Sequence, residues 1–243
     1  MRFTAFGWLL CCSATVCAAP LVVETEPNTP EQQREMFHLP PGFEIQLVAS
    51  NPDIGQPMNL AFDAAGRLWV THSVEYPYPV DGPGVQPREE RFAGLGSPPA
   101  RDRVTVLSGI GADGKPTSIT HFATGLNIPI GVTPLSLAPS STLSAQRSTT
   151  AIAFTIPNIT RFTDTDGDGL SDQQQPLYGP FGNLDTHGMT NSFTRWIDGW
   201  IYACHGFRNT STVQGADSQQ MTLNSGNTFR FRADGSHIEQ CTW

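Results

Sequence analysis

The residues best suited to chemistry in this sequence are an acidic loop and several histidines. Carboxylates stand at positions 1, 3, 5 and 9 of the segment Asp164–Asp172, and a glycine at position 6 allows a sharp turn. Oxygen ligands at this spacing suit a hard cation such as Ca²⁺, which would relieve the repulsion between the acids. The pattern predicts a structural calcium site, and a solvated acidic turn without metal is the alternative. The predicted ligands are Asp164, Asp166, Asp168, Leu170 and Asp172.

His187 is the candidate for proton transfer, in the segment Asp185-Thr-His-Gly. A neutral imidazole at the entrance to a strand can take a proton from an alcohol. The same spacing also fits a turn histidine that is hydrogen-bonded to Asp185. A second segment, from His205 through Arg208 to Asn209, suits an anion or the carboxylate of a quinone, with a polar loop as the alternative.

Composition favours short strands joined by turns. The 243 residues include 23 glycines and 20 prolines, and only 15% of them are charged. Coiled coils and long-helix bundles need more helix formers and denser charge, so they are excluded. With 14 Lys and Arg against 22 Asp and Glu, the net charge is −8. The chain lacks the surplus of basic residues that would indicate a nucleic-acid partner.

A hydrophobic strand, an Asp–Gly turn and a second strand recur along the chain. Four-stranded units at this spacing are typical of a β-propeller, so we predict an all-β fold of three blades, with a β-sandwich as the alternative. The blades are expected over about 42–124, 125–184 and 185–243, with a surface loop at 138–150. The predicted strands are 58–62, 67–71, 103–108 and 118–123, then 130–137, 151–156, 160–163 and 174–178, then 189–194, 200–203, 227–232 and 237–241.

This topology predicts where the polar residues gather. The loops before the first strand and after the second strand of each blade share one end of the sheets, and the acidic loop falls at the other end. The long loop 72–101 is expected to cover the shared end. The residues expected there are Asn127, Asp185, Thr186, His187, His72, Glu75, Tyr76, His205, Arg208 and Asn209.

The first nineteen residues have the pattern of a secretory signal peptide. Arg2 is followed by an apolar run and by the small residues Ala18 and Ala19. We therefore expect a periplasmic or extracellular protein, with a polar leader over 20–41 and no membrane-spanning segment after cleavage. Cys204 and Cys241 then remain, and the sequence leaves open whether they pair or stay free.

Several long motifs carry a family resemblance that covers about residues 39–243. They resemble the planctomycete-type membrane-bound dehydrogenase domain, which is similar to the soluble quinoprotein glucose/sorbosone dehydrogenases. Those proteins are six-bladed propellers that use pyrroloquinoline quinone and Ca²⁺. The motifs are Leu39–Ser50, Gln56–Asp63, Trp69–Pro79, Gly125–Val132, Asp164–Gly169 and Asp185–Asn209.

The resemblance implies that the chain oxidises a sugar or another alcohol. His187 is then the catalytic histidine, and His72, His205, Arg208 and Asn209 are the candidates for binding the quinone. Because a ring of this type needs more than three blades, we expect an open half-propeller, incomplete alone, whose partners are further blades and an electron acceptor. The alternative function is a non-catalytic, calcium-stabilised propeller that binds carbohydrate or a protein.

Overall fold

The structure is a computed structural model that describes residues 26–88, 96, 98–135 and 149–241. The chain divides into two compact units, Met1–His38 and Leu39–Trp243. The predicted signal peptide, residues 1–19, lies outside the described residues. Most of the predicted surface loop does too, and the last two residues of that loop, Thr149 and Thr150, belong instead to a strand.

The described part of the first unit contains a short helix, α1, over Pro30–Glu35. Thr29 and Gln32 cap it reciprocally: the Gln32 N–H donates to Thr29 Oγ1, and the Thr29 N–H donates to Gln32 Oε1. A proline in the first helical turn fits, because its missing N–H would have no partner there. The expectation of a polar leader alone is therefore corrected by a helix, whose capping pair is visible in the sequence.

The second unit is all-β, as predicted, and the described residues form three four-stranded antiparallel sheets and one hairpin. Sheet 1 contains β1 (Gln56–Phe62), β2 (Leu68–Ser73), β3 (Asp102–Ser108) and β4 (Ser118–Leu126). Sheet 2 contains β5 (Ile130–Leu135), β6 (Thr149–Thr155), β7 (Asn158–Asp164) and β8 (Gln173–Tyr178). Then follow β9 (Asn191–Arg195), β10 (Ile201–His205), β11 (Thr210–Gln214), β12 (Gln220–Asn224), β13 (Asn227–Phe231) and β14 (Ile238–Gln240).

Sheet 3 consists of β9, β10, β13 and β14, and the hairpin β11–β12 is inserted between its second and third strands. Each of the twelve predicted strands corresponds to a strand of these sheets, so that part of the prediction is confirmed. The hairpin was missed. Its signal was a strict alternation in which Ser211, Val213, Met221 and Leu223 are buried between exposed neighbours.

Two hydrophobic layers join the sheets. Sheet 1 packs on sheet 2 through a cluster around Trp69 and Phe162, and sheet 2 packs on sheet 3 through a larger cluster around Phe154 and Phe229. The first strands of the three sheets, β1, β5 and β9, lie next to one another. Because neighbouring strands of each sheet run in opposite directions, the loops before these first strands and after the second strands share one end, here called the upper end.

A buried carboxylate, Asp102, organises the upper end where β3 begins. One of its oxygens accepts hydrogen bonds from the hydroxyl of Ser73 (2.6 Å) and the N–H of Ile128 (3.0 Å). The other accepts from the N–H groups of Val74 (2.7 Å) and Glu75 (3.2 Å). Burial raises the pKa of Asp102 although these hydrogen bonds lower it. The side chain therefore joins the end of β2, the start of β3 and the segment before β5 through four hydrogen bonds.

Replacing Asp102 by alanine is expected to lower the free energy of unfolding by at least about 3 kcal/mol, because three buried donors and one partly buried donor lose their acceptor. Asp102→Asn keeps one acceptor oxygen, so its loss should be smaller. Urea denaturation of both variants measures this, with Asp53→Ala, at an exposed acid, as the control. Equal stability of Asp102→Ala and wild type would contradict the role of Asp102.

Candidate functional site

Three loops meet at the upper end: the loop after β2, the loop before β9 and the loop after β10. Thr186 Oγ1 donates to Pro77 O (2.9 Å), which joins the first two. Asn183 and Gln86 join them again, because each side-chain oxygen accepts from the other residue's backbone N–H (2.8 and 2.6 Å). The described part of the long loop after β2 therefore lies over the upper end, as predicted.

Two glycines bring the other pair of loops into backbone contact. A Cβ placed on Gly206 would lie 2.6 Å from Gly188 Cα, and one on Gly188 would lie 2.0 Å from Phe207 O. Side-chain atoms do not approach backbone this closely, so only glycine allows the contact. It fixes the loop before β9 directly against the loop after β10.

The turn that carries His187 is held by the side chain of Asp185. Asp185 Oδ1 accepts from the backbone N–H of His187 (2.9 Å) and lies 3.2 Å from the ring atom Nδ1. The imidazole is 61% exposed, whereas the Asp185 side chain is 14% exposed. Among the described residues, Nε2 of His187 has no hydrogen-bond partner. His187 therefore fits both interpretations of the sequence: it is a turn histidine bonded to Asp185, and its ring is also exposed, as a proton acceptor must be.

Tyr76 and Arg208 border this pair. The ring of Tyr76 meets the ring of His187 edge to face, with centroids 5.4 Å apart. Burial raises the pKa of Tyr76, and the nearby charge of Asp185 adds to the shift. Arg208 Nη1 lies 3.7 Å from Asp185 Oδ2, and its backbone is in the left-handed region with φ of 65°. The upper end therefore combines a carboxylate, an imidazole, a phenol and a guanidinium.

His72 lies apart from this group, on the face of sheet 1 that points away from sheet 2. Its Nδ1 accepts from the N–H of Gly55 (2.8 Å), so Nε2 carries the proton and donates to Thr105 Oγ1 (2.7 Å). Burial lowers the pKa of His72 to about 4, which keeps the ring neutral. In this arrangement neither ring nitrogen is left for a ligand.

His205 is buried at the end of β10. Its Nδ1 lies 2.9 Å from Ser225 O, which can only accept, so Nδ1 carries the proton. Nε2 therefore accepts from the hydroxyl of Ser211 (2.7 Å). Burial lowers the pKa of His205. Both nitrogens of this ring are likewise used within the chain.

Asn209 is the last of the predicted quinone contacts, and its amide is also fully engaged. It bonds the backbone of Asp185 and Gly188 and is buried. Of the four predicted contacts, only Arg208 keeps exposed polar atoms. The four side chains therefore do not fit together as a quinone site in this arrangement.

Three carboxylates of the acidic loop, those of Asp164, Asp166 and Asp172, approach one another within 4.8 Å. Asp164 is buried and accepts from the N–H groups of Gly167 (2.6 Å) and Gly169 (3.1 Å). Hydrogen bonds from the backbone and hydroxyl of a threonine lower the pKa of Asp172. The cluster is an oxygen-only set of the kind that hard cations bind.

The other two predicted ligands stand outside this cluster. Asp168 Oδ1 accepts from the N–H of Leu170 (2.7 Å), and the Leu170 side chain is half exposed. The loop itself contacts sheet 1: the Ser171 N–H donates to Phe122 O (2.7 Å) on β4. Because the loop joins β7 to β8, it lies at the lower end of sheet 2, opposite His187.

The two cysteines cannot pair. Cys204 on β10 is the cross-strand partner of Thr228 on β13, and the N–H of Cys241 donates to the carbonyl of the same Thr228 (2.8 Å). A strand therefore separates them, and two strand spacings of about 5 Å exceed the roughly 7 Å limit for bridged Cα atoms. Both thiols are free, so the disulfide alternative is wrong.

Comparison with known proteins gives one result. A family model described as "Domain of unknown function (DUF7133)" matches residues 29–242 of the chain. No curated protein and no solved structure matches it.

The backbone contact between the two glycines gives a test of the site's architecture. Gly206→Ala is expected to cost about 1 to 3 kcal/mol of stability, because the added methyl group overlaps Gly188. Gly226→Ala is the matched control, since a Cβ there meets nothing within 4 Å. Urea midpoints measure both. If the two variants were equally stable, the loops would not be in the close contact described.

Proposed function

We propose that this chain, which belongs to the family of the domain of unknown function DUF7133, is an exported propeller-type dehydrogenase that oxidises a sugar or another alcohol. The observation that carries the proposal is the Asp185–His187 pair, in which an exposed imidazole is bonded through one nitrogen to a carboxylate. An imidazole oriented in this way by a carboxylate is suited to act as a general base.

The arrangement of the sheets supports a propeller. Each propeller blade is a four-stranded meander, and the blades are set around a central channel. Sheets 1 and 2 are such meanders, sheet 3 is one with the hairpin β11–β12 inserted, and β5 lies beside both β1 and β9. We propose that these sheets are blades over about 42–124, 125–184 and 185–243. The upper end would then surround the mouth of the channel.

In the proposed reaction, His187 removes the proton from the substrate hydroxyl. The carboxylate of Asp185 accepts from Nδ1–H, so the lone pair stands on Nε2, where it can receive that proton. As the ring becomes an imidazolium, the adjacent carboxylate stabilises the new charge. Arg208 and Tyr76 would contact the substrate beside the ring.

Oxidation of an alcohol also requires a hydride acceptor. The family resemblance implies pyrroloquinoline quinone, which takes up two electrons and a proton equivalent when bound. The polar side-chain atoms of His72, His205 and Asn209 are hydrogen-bonded within the chain. The residues that would hold the acceptor are therefore unassigned.

The acidic cluster favours a second candidate, a non-catalytic calcium-stabilised propeller that binds carbohydrate or a protein partner. Asp164, Asp166 and Asp172 lie within 4.8 Å of one another. A Ca²⁺ ion would offset their repulsion and hold the loop against β4. In the dehydrogenase, the same ion would be structural as well. The two candidates therefore differ only in whether His187 takes part in catalysis.

Export is proposed from the pattern of residues 1–19. In the part of the chain that the structure describes, no helix is long and apolar enough to cross a membrane.

His187→Ala tests the catalytic proposal. The full chain is supplied with pyrroloquinoline quinone, Ca²⁺ and a redox dye, and dye reduction is followed over a panel of sugars and alcohols. Loss of the general base should slow turnover by at least about 100-fold. His38→Ala, at an exposed histidine of the first unit, should match wild type. Turnover by His187→Ala at the rate of wild type would overturn the proposal.

Calcium binding is tested by thermal unfolding with and without the ion. At about 100 times its dissociation constant, a ligand adds roughly 2.7 kcal/mol, which raises the Tm of a domain of this size by about 5 to 10 °C. Asp164→Asn should abolish the rise. Asp113→Asn, in the corresponding turn of sheet 1, should keep it. A rise of the same size in Asp164→Asn, or none in wild type, speaks against the site.

A further inference from the structure

Asn209 is a buried amide whose polar atoms all bond to the turn that carries His187. Its Nδ2 donates to the carbonyls of Asp185 and Gly188, both at 2.8 Å. Its Oδ1 accepts from the N–H of Asp185 at 3.0 Å. The amide thus holds the first and last residues of the turn, and both of its N–H groups are used.

From this geometry we infer that Asn209 is a positioning residue for the Asp185–His187 pair. It acts through Asp185, because fixing the backbone of Asp185 at both N–H and carbonyl fixes where its carboxylate stands. That carboxylate then selects the Nδ1–H tautomer of His187 and leaves the Nε2 lone pair exposed. The inference rests on the proposed function, and it replaces the quinone-binding role that the sequence predicted for Asn209.

Asn209 can do this because the hairpin β11–β12 holds it in turn. Its carbonyl accepts from the N–H of Ser225, which directly follows β12 (3.2 Å). His205 is placed beneath, between Ser225 O and Ser211 Oγ, and so ties the two strands of the hairpin together. Ser211 Oγ also accepts from the N–H of Gly182 (2.8 Å), in the loop before β9. The inserted hairpin is thus the support of the site.

A purely structural role would predict only that removing Asn209 lowers stability. The positioning role predicts a change at the ring of His187 itself. Without a fixed Asp185 carboxylate, a neutral imidazole is free to place its proton on Nε2, which removes the lone pair required of a general base. Which nitrogen carries the proton is therefore the decisive quantity.

The test is ¹⁵N NMR of the histidine ring in the full chain at about pH 8, where an ordinary imidazole is neutral. Wild type should show a protonated Nδ1 and an unprotonated Nε2 for His187. Asn209→Ala should move the two resonances toward each other as the tautomers mix. Asn183→Ala is the matched control, because Asn183 is a buried amide that holds a neighbouring stretch of the same loop. It should leave the His187 resonances unchanged.

Asn209→Leu is the second variant, since it keeps about the size of the side chain and removes both donors without adding a charge. A tautomer change in either folded Asn209 variant supports the inference. If both variants fold and keep the wild-type tautomer of His187, the inference is overturned. It is also overturned if both variants unfold, because Asn209 would then determine the fold and not the tautomer of the His187 ring. The measurement needs no turnover. Turnover by His187→Ala at the wild-type rate, together with the expected tautomers in wild type, would therefore reject the proposed function alone.

Discussion

Loop backbone that is buried between β-sheets must find hydrogen-bond partners outside the strand ladders, and this constraint shapes the whole upper end. Four polar side chains meet it: Asp102, Asn127, Asn183 and Asn209. Each bonds backbone groups of a segment distant in sequence. An amide or a carboxylate forms hydrogen bonds only in certain directions. Each of these side chains therefore also determines which two segments of the chain lie next to each other. Among the four, Asn209 bonds the turn that carries Asp185 and His187.

The three histidines that the sequence predicted for the upper end show how burial separates similar residues. His72 and His205 are buried, and burial lowers both pKa values, although the hydrogen bond to the Ser225 carbonyl opposes the shift at His205. His187 is 61% exposed and lies beside the carboxylate of Asp185. Of the three rings, only that of His187 has a nitrogen without a hydrogen-bond partner among the described residues. The ring of His72 is hydrogen-bonded to β3, and the ring of His205 is hydrogen-bonded to the inserted hairpin.

The sequence predicted the strands well because alternation and Asp–Gly turns are local signals. In the turns that begin at Asp63, Asp198 and Asp234, the aspartate accepts a backbone N–H two residues ahead, which is why the pattern repeats. The roles of the individual site residues depend instead on contacts between segments that are distant in sequence. His72 looked accessible because its strand was predicted to end at the site, but its side chain points to the far face of sheet 1. Nothing in the residue types distinguishes a buried imidazole from an exposed one.

The junction of sheets 1 and 2 is held at both ends, and this explains why the acidic cluster and the dyad are separate sites. At the upper end, Asp102 joins the start of β3 to Ile128, just before β5. At the lower end, the loop Asp164–Asp172 meets β4. The six residues of β8 place about 20 Å between the loop and the upper end. A cation in the cluster would therefore be too far away to polarise a substrate at His187, and it would instead keep the two sheets together.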